Sequence, residues 1–584
     1  MKKKDKINIS RHSLAHILAM AVLKKFPNAK LGVGPVIENG FYYDFLLPNK
    51  LSNHDLLRLE KEMKKIIKSN ISFKKEIVKK TTALKKNKDN KFKKELINEI
   101  PLKEKISFYT SGNFVDLCRG PHVKNSKEIN IDAFKITKIA GAYWRGDEKN
   151  KMLTRIYGVA FETKEELEKY LKILEESKKR DHRKLGKELD LFTFSEIVGA
   201  GLPLWTPNGS IIREKIDNYV WELRKKYNYQ KITIPHITKK ELYEKSGHWE
   251  KFSNELFKIK TKKGNEYAMK PMNCPHHTQI YNHLPRSYRD LPQRYAETTM
   301  VYRDEQSGEL IGLSRVLSIT QDDAHVFCRE NQIKEEVFKI IDIVQNFYKI
   351  FNFDLEIYLS LHDPKNMNKY LGDKKTWNKT EKYLKDLLKD KKIKFEEVIG
   401  EAAMYGPKID FMAKDSLGRK WQVATIQLDR QMPERFKLIC TNEKGKEERI
   451  VMIHAAITGS LERFISVLIE HLSGNFPTWL SPIQIKILTV GEKHIKFSNK
   501  LKKEFEQYDL RVAIDDSSET LGNKIRKNII NKIPYTIVIG DKEIKNKKLS
   551  IRIRGEKEII NINKEKFIKK IRENIKKKDL KLIK

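Results

Sequence analysis

A single cysteine, Cys274, lies in the segment EYAMKPMNCPHHTQIYN (266–282), and His276 and His277 follow it closely. Thiolate and imidazole groups are the ligands that zinc prefers in proteins. Side chains of adjacent residues cannot all turn toward one ion, however. A metal held by Cys274 therefore needs further ligands from elsewhere in the chain.

Two distant histidines are candidates for these ligands. His325 lies in SITQDDAHVFC (318–328), and His454 lies near the end of an apolar run in VMIHAA (451–456). The ligand separations, about 50 and about 130 residues, match no zinc-finger spacing. Three protein ligands would leave one position of a tetrahedral zinc open, which is typical of a catalytic or substrate-binding metal.

Polar groups share one face of the segment around His325. If residues 318–328 form a strand, Gln321, Asp323 and His325 point the same way, because side chains alternate along a strand. An amide, a carboxylate and an imidazole on one face indicate either a polar cleft or an exposed sheet face.

A second group of chemically active residues lies near the N-terminus. RHSLAH contributes His12 and His16, and DLCRGPH contributes Asp116, Cys118 and His122. The HxxxH and CxxxH spacings resemble those of metal sites, so these residues alone favour zinc.

Length and composition describe a globular chain. Its 584 residues predict about three to four domains, and the hydrophobic content of 39% allows real cores. No apolar run approaches the ~18 residues of a membrane span, and the basic N-terminus lacks a cleavage site. The four cysteines are isolated, which fits a reducing compartment. We therefore expect a soluble cytoplasmic protein with no membrane association.

The formal net charge of +40 favours a polyanionic partner, most simply nucleic acid. Lys, Ile and Asn are abundant throughout the chain, however, as an AT-biased genome would produce without selection for binding. Charge alone leaves both interpretations open.

Periodicity predicts the elements that position these groups. We expect an N-terminal helix with an apolar face over 14–22, and in the Lys-rich region 74–105 a solvated helix face plus a loop. A charged linker helix follows over 163–189. A buried helix over 209–227 leads into an apolar strand, KITIPHI (231–237).

The C-terminal half adds two further patterns. After His454, a helix begins whose core stripe includes Leu461, Phe464 and Leu468, whereas Arg463 falls off that stripe. From about residue 483 the pattern is βαβαββ, with IQIKILTV, RVAIDD, YTIVIG and LSIRIR as strands. The last hundred residues are therefore predicted to be a small α/β domain.

Several of these segments resemble a known family. MVYRDE with the downstream Arg315, and GSLERF with Arg463, resemble motifs 2 and 3 of class II aminoacyl-tRNA synthetases, and helix 209–227 running to Pro235 resembles motif 1. Within that class, KPMNCPxH, TQDDAHxFC, YGPKIDF and MIHxAxxGSLERF together resemble the threonyl-tRNA synthetases. The likeness runs from HSLAH at 12–16 to SIRIRG at 550–555.

The resemblance implies an α+β multidomain fold. We expect an α+β editing domain over 1–181, a class II catalytic core with an antiparallel sheet over 182–480, and an α/β anticodon-binding domain over 481–584. The chain is similar to bacterial members without the small N-terminal TGS domain.

The resemblance also implies site residues in the core. Cys274, His325 and His454 match the ligands of one zinc ion per subunit, with His276 outside the set and His277 structural. The residues that match catalytic positions are Arg303, Arg463 and Lys408. The residues that match substrate- or ATP-binding positions are Glu305, Arg315, Gln321, Asp323, Tyr405, Gln422, Thr425 and Gln427.

Two further sets lie outside the core. The editing positions are matched by His12, His16, Asp116, Cys118 and His122, and the resemblance suggests a metal-free pocket there. The anticodon-reading positions are matched by Arg526, Glu543 and Arg552.

The implied reaction joins L-threonine to tRNA(Thr) through threonyl-adenylate, with ATP and Mg²⁺. Arg303 should bind the α-phosphate, Arg463 the distal phosphates, and Glu305 the adenine amino group. An apolar pocket separates threonine from valine by only about 10²-fold, so zinc that binds the substrate amine and hydroxyl would supply the selectivity. Serine has both groups, so hydrolysis of seryl-tRNA(Thr) is also expected.

Several positions depart from the family pattern. His276 stands where the family usually has Gly, Val423-Ala424 replaces Cys-Gly, and Ala455 replaces Arg. Ser518 and Lys532 replace Asn and Arg, from which we expect weaker anticodon reading. Thr425 and Gln427 share a strand face, which Gln422 can join only through a bulge.

Three functions compete. An active threonine–tRNA ligase, a homodimer through the motif 1 surface, is favoured. A regulatory RNA-binding protein without chemistry would have no reason to keep Arg303, Glu305 and Arg463. A ligase for another small amino acid is opposed by the Cys-His-His set and the editing motifs.

Overall fold

The computed structural model describes residues 3–101, 103–545 and 548–583. The chain divides into two compact units, one ending at Glu175 and the other beginning at Glu176. Among the described residues, no helix combines the length and apolar character needed to cross a membrane.

The first unit contains two sheets and the N-terminal helix. Its helices are α1 (Lys3–Lys25), α2 (Asn53–Lys68), α3 (Lys80–Lys86), α4 (Lys91–Glu99) and α5 (Lys164–Arg180), which crosses the boundary. Its strands are β1 (Lys30–Leu31), β2 (Val36–Ile37), β3 (Gly40–Leu46), β4 (Phe73–Val78), β5 (Ile106–Ser111), β6 (Phe114–Leu117), β7 (Phe134–Tyr143) and β8 (Met152–Ala160). One sheet has the order β1-β3-β8-β7, with β2 on β3, and the other has the order β4-β5-β6.

The predicted apolar face of α1 is present. Leu14, Ile17 and Leu18 are buried in one hydrophobic cluster with Phe41 and Phe45 of β3. This packing fixes the helix that carries His12 and His16.

The interpretation of region 74–105 as a solvated helix face plus a loop is wrong. The region contains most of β4, then α3 and α4. Lys93 of α4 is only 3% exposed, because its ammonium group reaches a buried carboxylate, Asp116.

The second unit holds a central sheet of eight strands. The helices around it are α6 (His182–Glu188), α7 (Pro207–Lys225), α8 (Lys240–Ser246), α9 (His248–Lys251), α10 (Cys274–Asn282), α11 (Ile333–Lys349), α12 (Lys374–Asp390), α13 (Gln431–Phe436) and α14 (Leu461–His471). The strands are β9 (Phe192–Thr193), β10 (Leu204–Trp205), β11 (Gln230–Lys231), β12 (Ile237–Lys239), β13 (Lys258–Lys260), β14 (Glu266–Met269), β15 (Gln293–Tyr302), β16 (Ser318–Cys328), β17 (Asp354–Leu361), β18 (Glu396–Ile399), β19 (Lys408–Lys414), β20 (Lys420–Asp429), β21 (Ile439–Thr441), β22 (Glu447–Arg449) and β23 (Val451–Ala456).

The central sheet has the order β11-β15-β16-β23-β20-β19-β17-β18. Its pairs are antiparallel except at the two edges, where β11 is parallel to β15 and β18 to β17. The predicted antiparallel core is therefore confirmed. The buried stripe of α7, including Ile212, Ile216 and Leu223, packs into the same hydrophobic cluster as Phe464 of α14.

Two predicted elements differ from the structure. KITIPHI is not a strand, since residues 232–236 lie between β11 and β12. Pro235 has no N–H to donate, and the N–H of Ile234 is donated to the Glu297 carboxylate at 3.3 Å. The charged linker is two helices, because Asp181 interrupts it and caps α6 by accepting from the Arg183 N–H at 2.8 Å.

The C-terminal part of this unit is an α/β module. Its helices are α15 (Ile495–Glu506), α16 (Leu521–Ile530), α17 (Asp541–Lys545) and α18 (Lys564–Lys577), and its strands are β24 (Ile485–Thr489), β25 (Val512–Asp515), β26 (Tyr535–Ile539), β27 (Lys548–Ile553) and β28 (Ile559–Asn563). The sheet order is β25-β24-β26-β27-β28, with the first three strands parallel. The predicted βαβαββ pattern is confirmed, and α17, β28 and α18 are additional.

Candidate functional sites

The core cluster consists of Cys274, His325 and His454. One ligand atom from each lies within 4.8 Å of the others, and all three side chains are buried. His325 and His454 are directly opposite each other on the antiparallel strands β16 and β23, so their side chains emerge on one face of the sheet. Cys274 begins α10 and supplies the sulfur. The structure thus brings together three residues that are far apart in sequence.

The donor set of the core cluster fits a zinc ion. His325 Nε2 lies 3.0 Å from His454 Nδ1, so two imidazole nitrogens converge beside a thiol. Burial raises the pKa of the Cys274 thiol well above its ordinary value. A bound cation acts in the opposite direction, because it stabilises the thiolate.

The two neighbouring histidines of α10 lie in different places. His277 Nδ1 is 2.7 Å from His325 Nδ1, so it contacts the core cluster without belonging to it. His276 is buried against Tyr243, with the ring centroids 6.2 Å apart. Neither ring nitrogen of His276 has a hydrogen-bond partner within the described part of the chain.

Polar residues line the sheet beside the core cluster. Asp323, two residues before His325 on β16, accepts a hydrogen bond from Asn273 Nδ2 at 3.0 Å. Burial raises the pKa of Asp323 to about 6, and the hydrogen bond from Asn273 opposes this effect. The Tyr405 hydroxyl donates to Gln427 Oε1 at 2.5 Å.

The bulge required by Gln422 is present. Phe411 of β19 pairs with Ala424, whereas the next residue, Met412, pairs with Gln422, so Val423 is the extra residue of β20. Gln422 Nε2 consequently donates to Asp410 Oδ1 at 2.8 Å.

Three other predicted pocket residues flank these groups. Lys408 Nζ lies 3.1 Å from Asp410 Oδ2. Gln427 Nε2 donates to Thr425 Oγ1 at 3.4 Å. Gln321 of β16 forms an isolated bridge with Ser460, which places it near the start of α14.

Arg303 and Arg315 lie near Arg463. Arg463 Nε donates to the carbonyl oxygen of Ser314 at 3.1 Å. Partial burial, and next the positive charges of Arg303 and Arg315, lower the pKa of Arg463. Arg315 Nε donates to Glu305 Oε2 at 3.0 Å. This arrangement is suited to a polyanionic ligand, since the cations repel one another without it.

The N-terminal pocket consists of His12, His16, Asp116, Cys118 and His122. The ligand-type atoms of its histidines and cysteine all lie within 4.8 Å of one another. His12 and His16 are on α1, Asp116 is on β6, and the other two residues follow that strand. The structure therefore brings the residues of RHSLAH together with those of DLCRGPH.

Surrounding hydrogen bonds fix the proton position of His12. Its Nδ1 lies 3.2 Å from the Pro121 carbonyl oxygen, which can only accept, so Nδ1 carries the proton. The lone pair of His12 Nε2 therefore faces Cys118 Sγ at 3.2 Å.

Ser13 fixes the proton position of His122 in a similar way. The Ser13 hydroxyl donates to the Ile9 carbonyl oxygen at 2.9 Å, so toward His122 Nδ1, at 3.1 Å, it is an acceptor. His122 Nε2 then presents its lone pair to Cys118 Sγ, again at 3.2 Å. One thiol proton cannot satisfy two nitrogens, so one lone pair remains for another donor, such as water.

Sequence reasoning missed two members of this region, Tyr43 and Lys93. Asp116 accepts from the Tyr43 hydroxyl, and its Oδ1 lies 2.6 Å from Lys93 Nζ. His16 Nε2 is 3.7 Å from the same carboxylate. Lys93 lay within a lysine-rich run, where nothing distinguished it from solvent-exposed neighbours. Tyr43, in GFYYDF, belongs to a buried strand pattern that carried no signal of chemistry.

The predicted anticodon residues lie on the C-terminal module. Arg526 is exposed on α16. Glu543 is held by the Gly540 N–H at 3.0 Å and by the Ser550 hydroxyl at 3.1 Å. Arg552 Nε is buried and has no hydrogen-bond partner among residues 3–101, 103–545 and 548–583.

Three family models match the chain. They are "tRNA synthetase class II core domain (G, H, P, S and T)" over residues 257–472, "Anticodon binding domain" over 484–574, and "Threonyl and Alanyl tRNA synthetase second additional domain" over 106–157. Each match falls inside one of the three predicted domains.

Similar curated proteins extend over almost the whole chain. A threonine–tRNA ligase of Azobacteroides pseudotrichonymphae is 47% identical over 555 residues, which cover 94% of this chain and 85% of the relative. A threonine–tRNA ligase of Cytophaga hutchinsonii is also 47% identical, over 95% of this chain and 87% of the relative.

Solved structures show the same likeness. The RNA binding domain of threonyl-tRNA synthetase from Cryptosporidium parvum Iowa II has a TM-score of 0.65 and 34% identity, covering 69% of this chain and 99% of that one. A putative threonyl-tRNA synthetase from Aeropyrum pernix has a TM-score of 0.59 and 26% identity, covering 69% and 97%.

Proposed function

This chain belongs to the threonine–tRNA ligase family of class II aminoacyl-tRNA synthetases, and from that premise we propose how its residues divide the reaction. The enzyme joins L-threonine to tRNA(Thr) with ATP and carries an editing domain. The observation that supports the assignment of residues best is the convergence of Cys274, His325 and His454.

Activation requires charge neutralisation and positioning rather than a protein nucleophile. The threonine carboxylate attacks the α-phosphate of ATP and displaces pyrophosphate, and the tRNA ribose hydroxyl then attacks the carbonyl of the adenylate and displaces AMP. Arg303 binds the α-phosphate, Arg463 the distal phosphates with Mg²⁺, and Glu305 the adenine amino group. Arg315 holds Glu305 in place through the hydrogen bond at 3.0 Å.

Amino-acid selection is assigned to the core cluster. Cys274, His325 and His454 would hold one zinc ion per subunit, which supplies a Lewis-acid centre for the amine and hydroxyl of threonine. Asp323 accepts a hydrogen bond from the substrate amine or hydroxyl. The remaining pocket is formed by Lys408 together with Gln321, Tyr405, Gln422, Thr425 and Gln427.

Serine has the same amine and hydroxyl, and one missing methyl group is worth only about 1–3 kcal/mol. The N-terminal pocket corrects this by hydrolysing seryl-tRNA(Thr). The free lone pair beside Cys118 accepts a proton from water as the water attacks the seryl ester, and cleavage of the acyl–oxygen bond releases serine and the ribose hydroxyl of the tRNA. Loss of both Cys118 and His16 should release seryl-tRNA(Thr), and persistent hydrolysis by the C118A/H16A enzyme would contradict this role.

Further assignments rest on the family alone. These are a homodimer through α7, a cytoplasmic location, and the boundaries 1–181, 182–480 and 481–584. Arg526, Glu543 and Arg552 are assigned to reading anticodon bases.

Amino-acid-dependent ATP–pyrophosphate exchange tests the core. We expect strong exchange with threonine, some with serine, and none with valine or proline, with loss of exchange when zinc is stripped. Absence of exchange in zinc-replete protein with every amino acid would instead favour an RNA-binding protein without chemistry.

A further inference from the structure

Asp429 lies behind His454 in a fixed orientation. It is fully buried at the end of β20, and its Oδ1 accepts from the N–H groups of Gln431 and Met432 at 2.7 and 2.9 Å. Its Oδ2 lies 2.8 Å from His454 Nε2. Because an ionised carboxylate only accepts, the proton of His454 is on Nε2, and its Nδ1 carries the lone pair.

His277 occupies the equivalent place behind His325. Its Nδ1 lies 2.7 Å from His325 Nδ1, and His325 Nε2 faces His454 Nδ1 at 3.0 Å. A metal bound between these two nitrogens requires both of their lone pairs. The proton of His325 must then be on Nδ1, where His277 Nδ1 is the acceptor within hydrogen-bond distance among the described residues.

We infer that Asp429 and His277 are positioning residues for the metal site, each fixing the proton of one ligand histidine on the nitrogen that faces away from the ion. The inference rests on the zinc assignment proposed above. Ligand histidines in proteins generally donate their second N–H to such a partner, and loss of the partner typically weakens metal binding by about 10–100-fold.

Asp429→Asn is a sharp test, because an amide cannot meet both demands of the site. If its oxygen accepts from Gln431 and Met432, its NH₂ faces His454 Nε2 and moves the His454 proton to Nδ1. If the amide turns over, its NH₂ opposes two backbone N–H groups. Either orientation reduces the availability of the lone pair that the metal needs.

His277 offers a matched pair of substitutions. The Asn oxygen in His277→Asn can occupy the place of Nδ1 as an acceptor, whereas His277→Leu removes the acceptor and keeps a buried apolar side chain. We expect the Leu variant to lose metal affinity by about 10-fold or more and the Asn variant to retain most of it.

The experiment measures zinc affinity of the full-length protein by competition with a chromophoric chelator. Wild type, Cys274→Ala, D429N, H277N and H277L are compared, and melting temperatures are recorded alongside. Asp415→Asn is the control, since Asp415 is also buried but bonds to Arg419 and Trp421.

The outcomes separate the two levels of the proposal. Zinc binding that is lost in Cys274→Ala, weakened about 10–100-fold in D429N and unchanged in D415N supports the inference. Wild-type affinity in D429N, or equal affinities in H277N and H277L, overturns it while leaving the zinc assignment intact. A wild-type protein that binds no zinc at Cys274 overturns the zinc assignment itself. If D429N does not fold, the H277N and H277L comparison decides.

Discussion

The Arg463 side chain is held by the loop that carries Arg315: its Nε donates to the carbonyl oxygen of Ser314 at 3.1 Å. The Ser314 hydroxyl also lies 3.0 Å from the Ser466 hydroxyl, one turn further along α14. The loop between β15 and β16 and the first turns of α14 are thus joined at two points. The orientation of Arg463 depends on this loop as well as on its own helix.

Arg463→Lys should therefore impair activation despite keeping the charge. Lysine has no Nε–H to reach Ser314 and no planar fork to bind two phosphate oxygens. We expect ATP–pyrophosphate exchange to fall by about 10²–10³-fold, the usual effect of losing one preorganised donor. Arg289→Lys, at an exposed position, is the control. A change of less than about twofold in the Arg463 variant would refute the assigned role.

Ser13→Ala tests the proton position of His122. The substitution removes the acceptor of the His122 Nδ1 proton, so the Nε2 lone pair is no longer fixed toward Cys118. Hydrolysis of seryl-tRNA(Thr) should slow by about 10²-fold, with threonine activation unchanged. Ser69→Ala, an exposed position in the same unit, serves as control. Full editing by Ser13→Ala would show that the proton position is set elsewhere.

The pH dependence of editing follows from burial of the pocket histidines. Burial is the first cause that lowers the pKa of His12, His16 and His122 below the ordinary value of 6.5. The pKa of each ring therefore lies below 6.5, so seryl-tRNA hydrolysis should show no inflection centred at pH 6.5. The measurement is the hydrolysis rate from about pH 5.5 to pH 7.5, and a one-proton loss of rate centred near 6.5 would contradict it.

The same shifts predict a stability effect of definite sign. Below pH 6.5 the unfolded chain binds protons at these histidines, whereas the folded pocket does not. The histidines therefore contribute a loss of stability that grows as the pH falls through and below that value.

Asp322→Asn should destabilise the second unit. Arg224 of α7 and Asp322 of β16 form a buried ion pair at 2.5 Å, and Asp322 Oδ2 also accepts from the N–H groups of Ile457 and Thr458. Removing one partner leaves a buried charge, at a cost of about 3–5 kcal/mol. Denaturant unfolding measures the effect, with the exposed Asp354→Asn as control. Replacing both Arg224 and Asp322 by apolar residues should recover part of the loss.

Arg552→Ala should separate tRNA recognition from activation. Arg552 is partly exposed on β27, and a bidentate base contact is worth about 1–3 kcal/mol. Aminoacylation should fall accordingly while ATP–pyrophosphate exchange stays unchanged. Equal charging of tRNA transcripts altered at the second and third anticodon positions would argue against base reading by this module.

Local pattern predicted some of the elements around the core site, but the helix α10 that begins at Cys274 was not among them. The apolar stripe of α7, the strand 318–328 and the helix after His454 follow from periodicity, and the bulge at Val423 follows from the alternation that Gln422 breaks. The division into an editing domain, a catalytic core and an anticodon-binding domain came from the family resemblance. The same alternation could have identified Asp429 as a site residue, because it lies on the strand face of Thr425 and Gln427.

Polar contacts between distant residues could not be predicted from the sequence. Lys93 of the helix α4 is buried because its ammonium group reaches the carboxylate of Asp116 on β6, and Ile234 leaves the predicted strand because Glu297 accepts its N–H. Neither partner is marked by spacing or composition. Such contacts form only after the elements have packed, so local propensity cannot reveal them.

Because His325 pairs with His454, the geometry of the core cluster depends on the register between β16 and β23. A slip of one residue between β16 and β23 would turn one imidazole to the opposite face of the sheet, and the three donors would no longer meet. Only chains with the correct strand alignment could then hold the proposed ion. If the proposed zinc ion binds there, the fraction of metal-bound protein after refolding would equal the fraction with correctly paired strands.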